Sequence, residues 1–193
     1  GYYRDQTFMF SSGMASPEHF FAQLYAIPDT ISEPNSGGRQ MNGHFATRLL
    51  DNNGNWTDQT ATKNTSSDTS PTASQMVRAV GLALASKLYR QNPETDSRGF
   101  SVNGNEVVFA TIGDASTSEG VFWEAVNAAG VLKIPLAFFV WDDGYGISVP
   151  KKYQTTKGSI SDILSGFESE KGRPGIKIFK GKGWDYPGLV KLY

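Results

Sequence analysis

The sequence contains no cysteine, carries almost no net charge and has no long uninterrupted run of apolar residues. The absence of cysteine from all 193 residues excludes a disulfide framework and a thiolate metal site. A formal net charge of −1 argues against a protein that coats nucleic acid. No apolar run approaches the roughly 20 residues that a membrane-spanning helix needs. With 38% hydrophobic residues, the composition indicates an ordinary globular protein with neither a membrane nor a nucleic-acid partner.

The two ends of the sequence are informative. The chain begins at Gly1 rather than at a methionine, and its last residues are apolar at helical spacing. We therefore expect a piece of a longer polypeptide. A length of 193 residues is sufficient for a single domain with its own core, and we predict one domain over residues 1–193.

Several segments show helical patterns. Residues 16–26 start with Ser16 and Pro17, a pair typical of a helix N-terminus. Residues 72–90 place apolar side chains at helical spacing, at positions 77, 80, 84 and 88, and Gly81 with the alanines around it indicates close packing against another element. Further helices are predicted over 119–132, over about 159–167, and from Asp185 onward with Pro187 in the first turn.

Two apolar, β-rich runs predict buried strands. These are EVVFATI at 106–112 and IPLAFFV at 134–140, and each is typical of a strand covered on both faces of a parallel sheet. With the helix between them they form a βαβ unit, whose crossover should be right-handed. A third strand is predicted at 176–179. The sequence therefore predicts an α/β fold, an open and mainly parallel sheet with helices on both faces.

Acidic turns follow both predicted strands. Asp114 comes after the first strand and Asp143 after the second, at the sheet edge where α/β proteins bind ligands. Magnesium takes carboxylate, carbonyl and phosphate oxygens, so both aspartates and the Tyr145 carbonyl could ligate it. The predicted helix N-terminus behind Asp114 favours a phosphate. The alternative is a pair of ordinary polar turns.

A long polar segment covers residues 29–70. It is rich in Gly, Asn, Ser and Thr and carries Arg39, His44, Phe45 and Arg48. Segments of this length without periodicity are usually functional or disordered. We favour a binding loop; a solvated surface excursion is the alternative.

The order of several short motifs resembles one enzyme family. Gly113-Asp114-Ala115 is followed after 26 residues by Asp142-Asp143, which resembles the thiamine diphosphate signature, Gly-Asp-Gly followed after a similar gap by Asn-Asn. The rest resembles the alpha part of the decarboxylating component of 2-oxoacid dehydrogenase complexes. The segments that carry this likeness are Tyr3-Arg4-Asp5, GRQM at 38–41, TSPTASQ at 69–75, TSEG at 117–120 and GYGIS at 144–148.

The resemblance implies a thiamine-diphosphate-binding fold and assigns roles to individual residues. Asp114, Asp143 and the Tyr145 carbonyl would hold magnesium. Tyr3 and Arg4 would contact the diphosphate, since a guanidinium suits phosphate oxygens, although a surface ion pair is the alternative for the arginine. The other implied cofactor-binding residues are Ser70, Thr72, Gly113, Ala115, Ser116, Glu119 and Ile147.

The two histidines differ in their expected roles. His44 lies in the loop on the substrate side and would assist proton handling, or is simply an exposed loop residue. His19, on the first predicted helix, is expected to be structural.

The sequence departs from the family pattern at three places. Ala115 replaces a glycine, Asp142 and Asp143 replace two asparagines, and Trp141 stands where branched-chain members often have an arginine. The site is therefore expected to gain negative charge and to lack one cation. A non-catalytic paralogue that serves in assembly or regulation thus stays open as an alternative.

The implied reaction is the oxidative decarboxylation of a 2-oxoacid, with transfer of the acyl group to a lipoyl acyltransferase. The implied partners are a beta subunit or fused beta half and the lipoyl acyltransferase core, in the cytoplasm or the mitochondrial matrix. Acetoin dehydrogenase or a transketolase-like enzyme is the alternative within the same cofactor class. We also expect a homo-oligomer. Its candidate contacts, which are alternatively ordinary core, are Phe8, Met9, Phe10 and Met14, together with the Gly/Ala-rich face of the 72–90 helix.

Overall fold

The computed structural model describes residues 5–193, which pack as two compact units. The first unit comprises the residues up to Gln75 together with Leu88–Glu106. The second comprises Met76–Lys87 and Val107–Tyr193. The single thiamine-diphosphate-binding domain over residues 1–193 stays a prediction.

The first unit begins with two short helices, α1 (Asp5–Ser11) and α2 (Pro17–Leu24). A reciprocal pair of contacts starts α2: the Ser16 hydroxyl accepts from the His19 N–H, and His19 Nδ1 accepts from the Ser16 N–H, both at 3.3 Å. Two backbone donors that the helix cannot satisfy itself are thereby paired. The predicted helix and the structural role of His19 are both confirmed.

A small apolar cluster holds these helices. Met9, Ala15 and Phe45 are buried together, and Phe10 and Met14 pack against them. Met9 is therefore confirmed as an ordinary core residue, which was the alternative to an oligomer contact, whereas Phe8 is exposed.

Residues 29–70, all of them described, form no helix or strand of their own, as predicted. A single bridge joins Leu50 to Trp56, and the turn between them is closed around Asp51, whose carboxylate accepts from the Asn53 and Asn55 amides at 2.8 and 2.9 Å. The segment is thus ordered by side-chain-to-backbone hydrogen bonds, which replace the ladder of a regular element.

The longest helix, α3 (Ser74–Gln91), confirms the helix predicted for residues 72–90. The close packing predicted for its small residues holds for Ala79 and Ala83 but not for Gly81, which is exposed. Val77 and Leu88 of the apolar stripe are exposed. The helix buries small and flexible side chains instead, which permits close packing: Met76, Ala79, Ala83 and Ser86.

The second unit contains the predicted βαβ unit. Strand β1 (Val108–Gly113), helix α4 (Gly120–Leu132) and strand β2 (Leu136–Trp141) follow in order, and the strands pair in parallel from Val108↔Leu136 to Gly113↔Trp141. Phe122 of α4 lies edge-on to Phe138 of β2, with ring centroids 6.3 Å apart. On the other face, Phe109 and Phe139 stack at 5.7 Å, and Tyr193 stacks on Phe139 at 5.6 Å. The α/β class with a parallel sheet is confirmed, but the first strand is not covered on both faces, because Phe109 is exposed.

The remaining elements follow β2. A hairpin of β3 (Tyr145–Gly146) and β4 (Val149–Pro150) comes first. Helices α5 (Ile160–Leu164) and α6 (Tyr186–Leu192) match the predicted helices, with Ser159 and Asp185 as N-caps. Turns of 3-10 helix occupy 93–95, 115–118, 151–153, 156–158 and 165–167.

The strand predicted at 176–179 is wrong. Ile176 makes only an isolated bridge to Glu168, and its backbone bonds Phe167 and Ser169. Because the backbone groups of Ile176 are used in this local loop, residues 176–179 do not pair with β1 or β2. Within residues 5–193, no helix is both long and apolar enough to cross a membrane.

Candidate functional site

The ends of β1 and β2 bring the two predicted acidic turns to one edge of the sheet. Gly113 pairs with Trp141, and the Asp114 N–H donates to the Trp141 carbonyl at 3.3 Å. Asp114 and the Asp142-Asp143 pair therefore leave the sheet side by side, as the parallel arrangement predicts.

The carboxylate of Asp114 is buried, and it has no partner within the described part of the chain. The residue is 1% exposed, and neither oxygen has a hydrogen-bond partner among residues 5–193. A buried, unpaired carboxylate is costly, because water that would solvate it has been removed. Such a group is stabilised by a cation or by a proton.

Burial raises the pKa of Asp114 above its ordinary value, and repulsion from Asp142 and Asp143 raises it further. The nearby Ala115 N–H dipole lowers the pKa, although it makes no hydrogen bond to either oxygen. The charges of Asp142 and Asp143 therefore reach Asp114 across this edge of the sheet. Additional positive charge placed among them would favour the ionised form of Asp114.

The backbone after Asp114 does not enter α4 directly, in contrast to the prediction of a helix N-terminus there. A 3-10 turn at 115–118 comes first, and the Thr117 hydroxyl and N–H both donate to the Asp114 carbonyl, at 2.6 and 3.1 Å. Ser116 in this turn is half-buried. The N-cap of α4 is Glu119, which is exposed and whose side chain makes no capping bond within the described part of the chain.

The turn after β2 is built from its own aspartates. Asp142 accepts from the Gly144 N–H at 3.2 Å, and Asp143 accepts from the Tyr145 N–H at 3.1 Å. These bonds fold the backbone back into the β3–β4 hairpin, where Tyr145 pairs with Pro150. The predicted ligands Asp143 and Tyr145 are thus held by one short turn.

The hairpin lies directly against the turn that follows β1. A side chain on Gly146 would meet the Cβ of Ala115 at 2.6 Å. Ile147, at the tip, is fully exposed and has a φ of 57°, a conformation that is costly for a β-branched residue. Ala115 and Ile147 are therefore brought to the same edge as the acidic residues.

Lys151 is a member of this cluster that the motif analysis missed. Its Nζ contacts both oxygens of Asp142, at 2.7 and 2.6 Å, and its N–H donates to the Gly144 carbonyl at 2.8 Å. Trp141 stands where the family pattern led us to expect a cation. Lys151 places a cation at the site from another position. Only the hairpin brings residue 151 back to residue 142, so spacing along the sequence gave no signal.

Those of the remaining predicted site residues that the structure describes belong to the first unit. Ser70 and Thr72 are exposed in the turn that precedes α3, where the Pro71 carbonyl accepts from the Ser74 hydroxyl at 2.8 Å. Tyr3 and Arg4 lie outside the described residues.

His44 is buried, so the alternative of a merely exposed loop histidine is wrong. Buried Gln23 of α2 fixes the backbone on either side: it accepts from the Gly43 N–H at 2.6 Å and donates to the His44 carbonyl at 2.5 Å. The ring Nδ1 lies 3.4 Å from the Asn42 carbonyl. A proton on Nδ1 would satisfy that carbonyl and leave Nε2 as the basic nitrogen.

Glu33 is a second residue that sequence reasoning missed. It is completely buried, and its carboxylate accepts four hydrogen bonds, from the N–H groups of Asn35, Ser36 and Gly38 and from the Ser36 hydroxyl. The Ser36 hydroxyl in turn accepts from Arg39 and Gln40. Glu33 therefore organises the Gly-Gly-Arg-Gln segment. One glutamate before a glycine pair is too ordinary a pattern to reveal this role.

Comparison with known families identifies the relatives of this chain. Residues 1–169 match the model of a family described as dehydrogenase E1 component. The chain is 30% identical over 92% of its length to the 2-oxoisovalerate dehydrogenase subunit alpha of Bacillus subtilis, of which it covers 43%.

Two further relatives carry related names. The mitochondrial 2-oxoisovalerate dehydrogenase subunit alpha of Caenorhabditis elegans is 30% identical over 80% of this chain and 29% of its own length. The 3-methyl-2-oxobutanoate dehydrogenase subunit alpha of Mycobacterium tuberculosis is 35% identical over 56% of this chain and 25% of its own length. The chain thus spans less than half the length of each of these relatives.

Proposed function

Because the chain belongs to the dehydrogenase E1 component family, we propose that it holds the metal and diphosphate of thiamine diphosphate in a 2-oxoacid dehydrogenase. The observation that carries this proposal is the Asp114 carboxylate, which is buried and has no partner among residues 5–193, beside the turn of Asp143 and Tyr145. A protein retains such a costly group where a bound cation stabilises it.

The donor set fits magnesium. Two carboxylates, from Asp114 and Asp143, and the Tyr145 carbonyl are the hard oxygen donors that this ion takes, and phosphate oxygens and water complete its shell. Among residues 5–193, no three side chains of His, Asp or Glu form a ready-made cluster. The proposed site therefore needs a backbone carbonyl and oxygens of the ligand in addition to the two carboxylates.

Around the metal, the chain would position the diphosphate. The amides of the turn after Gly113, with the side chains of Ser116 and Glu119, would contact it, and Ala115 and Ile147 would flank the cofactor. We propose that Tyr3 and Arg4 also contact its phosphates. We also propose that the sheet is an open one of the thiamine-diphosphate-binding type, with helices on both faces.

Residues of the first unit would contact the reactive end of thiamine diphosphate. Ser70 and the Thr72 backbone would face the aminopyrimidine, and His44 would handle a proton near the substrate. Thiamine diphosphate, when bound, supplies the electron sink for loss of carbon dioxide. The fixed backbone around His44 supports its role, since a proton-transfer group acts efficiently only when it is held in place.

The substrate we propose is a branched-chain 2-oxoacid, supported by the names of the relatives. The proposed partners are a beta subunit or fused beta half, a lipoyl acyltransferase core that accepts the acyl group, and a second copy of the chain. The alternative is a non-catalytic paralogue, which the three departures from the family pattern would favour if they prevented cofactor binding.

Calorimetric titration of the full-length protein, together with its beta part, tests this proposal. We expect thiamine diphosphate to bind only when magnesium is present, and Asp114→Ala to abolish that binding. Asp162→Asn is a matched control, because this aspartate pairs with Lys180 on the surface of the same unit. An affinity change in Asp114→Ala of less than about threefold, well below 1.4 kcal/mol, would remove Asp114 from the site.

A further inference from the structure

The Asp142–Lys151 pair belongs to the same turn as the proposed metal ligands. Lys151 Nζ lies 2.7 and 2.6 Å from the two Asp142 oxygens, and the two side chains are 20% and 37% exposed. The lysine is tied to the turn a second time, because its N–H donates to the Gly144 carbonyl at 2.8 Å. Asp142 itself accepts from the Gly144 N–H at 3.2 Å.

The position of Lys151 follows from the hairpin. Tyr145 pairs with Pro150 and Gly146 with Val149, so residue 151 returns to the start of the turn. Both the side chain and the backbone of Lys151 thus contact residues 142–144, immediately before Tyr145. A change at Lys151 acts on the segment that carries Asp143 and the Tyr145 carbonyl.

The negative charge at this edge of the sheet favours a neighbouring cation such as Lys151. Asp114, Asp142 and Asp143 place three carboxylates around the ends of two paired strands. A diphosphate would be repelled by all three, and one magnesium ion cannot neutralise both the diphosphate and three carboxylates. Pairing of Asp142 with an ammonium group removes one of these negative charges without using a metal ligand.

We propose that Lys151 is a positioning residue for the metal and diphosphate. It neutralises Asp142 and fixes the turn, so that Asp143 and the Tyr145 carbonyl face the cation shared with Asp114. This inference rests on the proposed cofactor. In this arrangement Asp142 pairs with Lys151, and Asp143 is the metal ligand.

An exposed ion pair elsewhere in the second unit provides the comparison. Lys180 lies 2.7 Å from Asp162, but these side chains are 62% and 55% exposed. Exposed pairs of this kind contribute little, since water and salt screen them. Loss of Lys180 is therefore expected to leave the site unchanged, whereas loss of Lys151 is not.

The test is a calorimetric titration of the full-length protein and its beta part with thiamine diphosphate in the presence of magnesium. Lys151→Met is expected to weaken binding about tenfold, which is within the range of coupled neighbouring groups. Asp142→Asn in the same variant should restore affinity to within about threefold of wild type, because the unpaired charge is then removed. Lys152→Met and Lys180→Met are matched controls and should bind as wild type does.

Three results would overturn the inference. If wild type binds but Lys151→Met binds equally well, Lys151 has no role and the proposed function stands. If Asp142→Asn fails to rescue Lys151→Met, the lysine acts by another route than neutralising Asp142. If wild type shows no magnesium-dependent binding, the proposed function and the inference fail together.

A second variant keeps the test valid if Lys151→Met does not fold, as thermal unfolding of the cofactor-free protein would reveal. Asp142→Asn alone retains the Gly144 hydrogen bond and leaves the lysine cation in place. It should bind the diphosphate at least as tightly as wild type, and a tenfold loss would contradict the charge-compensation role.

Discussion

Gly146 and the methyl group of Ala115 are packed so closely that a Cβ on residue 146 would lie 2.6 Å from the Cβ of Ala115. The hairpin after β2 and the turn after β1 meet at this contact. Ala115 stands where the family pattern has a glycine, and its methyl group fits because the facing residue, Gly146, has no side chain. The two positions together keep the turns in contact.

Gly146→Ala is expected to lower the free energy of unfolding by about 1–3 kcal/mol and to weaken cofactor binding, because the new methyl group forces the two turns apart. Ala115→Gly in the same protein should restore part of both losses, since it removes the opposing methyl group. Urea denaturation and cofactor titration measure the two effects.

Gly166→Ala is the matched control for this pair, because a Cβ at residue 166 meets nothing within 4 Å. It should leave stability and binding near the wild-type values. If Ala115→Gly gives no rescue, the strain in Gly146→Ala arises against Gln154, whose Nε2 would lie 2.5 Å from the new Cβ.

Ile147→Gly is expected to stabilise the protein while weakening cofactor binding. A left-handed backbone costs a residue with a side chain about 1–2 kcal/mol, and glycine relieves this cost at a φ of 57°. Part of the gain is offset by the greater freedom of glycine in the unfolded chain, so we expect a net gain of about 0.5–1 kcal/mol. Thermal unfolding and titration with thiamine diphosphate measure the two changes.

Lys133→Gly is the control for the backbone effect, since Lys133 ends α4 with a φ of 49°. It should raise stability to a similar degree without any change in binding. Equal affinity of wild type and Ile147→Gly for the cofactor would exclude a contact between Ile147 and the cofactor.

Asp143→Asn is expected to make cofactor binding less dependent on metal. The amide oxygen can still accept from the Tyr145 N–H, so the turn should persist. A carboxylate binds magnesium more strongly than an amide does, but it repels a diphosphate when the metal is absent. Wild type should therefore reject the cofactor in chelator, and the variant should retain some affinity.

Titration of both forms with and without chelator measures this difference. Asp162→Asn, which removes a surface carboxylate of the same unit, should behave as wild type does in both conditions. The same metal dependence in wild type and Asp143→Asn would mean that the Asp143 carboxylate does not reach the cation.

Glu33→Gln is expected to destabilise the first unit by about 1–3 kcal/mol at pH 7, because an NH₂ group then faces at least one buried backbone donor. Burial by itself raises the pKa of Glu33, but the hydrogen bonds from Ser36, Gly38 and Asn35 outweigh it and lower the pKa below 4.5. The ionised form therefore stabilises the fold fully above about pH 4.5, and this contribution is lost as the pH falls through the lowered pKa.

Urea denaturation at pH 7 and at successively lower pH values measures the difference between wild type and Glu33→Gln. That difference should be constant down to about pH 4.5 and shrink below it. Glu94→Gln, an exposed change in the same unit, should have little effect at any pH. A difference that does not shrink in acid would mean that hydrogen bonding, rather than the charge of Glu33, stabilises this loop.

The sequence by itself determined the order of elements around the site and the residues that end them. Periodicity and capping signals placed α2, α4, α5 and α6 close to their observed bounds, because these signals act between residues a few positions apart. The same local reasoning placed Asp114 and Asp143 after the two paired strands. It also predicted that residues 29–70 form no regular element.

Only the tertiary structure decided which of these residues are buried, paired or left without a partner. The alanines of α3 suggested a close-packed face, but the exposure of Gly81 and of Val77 depends on what lies opposite each position. The burial of Asp114, the return of Lys151 to Asp142 and the four hydrogen bonds to Glu33 are likewise invisible in the sequence. Each depends on where a turn directs the chain, and turn geometry is set by contacts between residues that composition and periodicity do not relate.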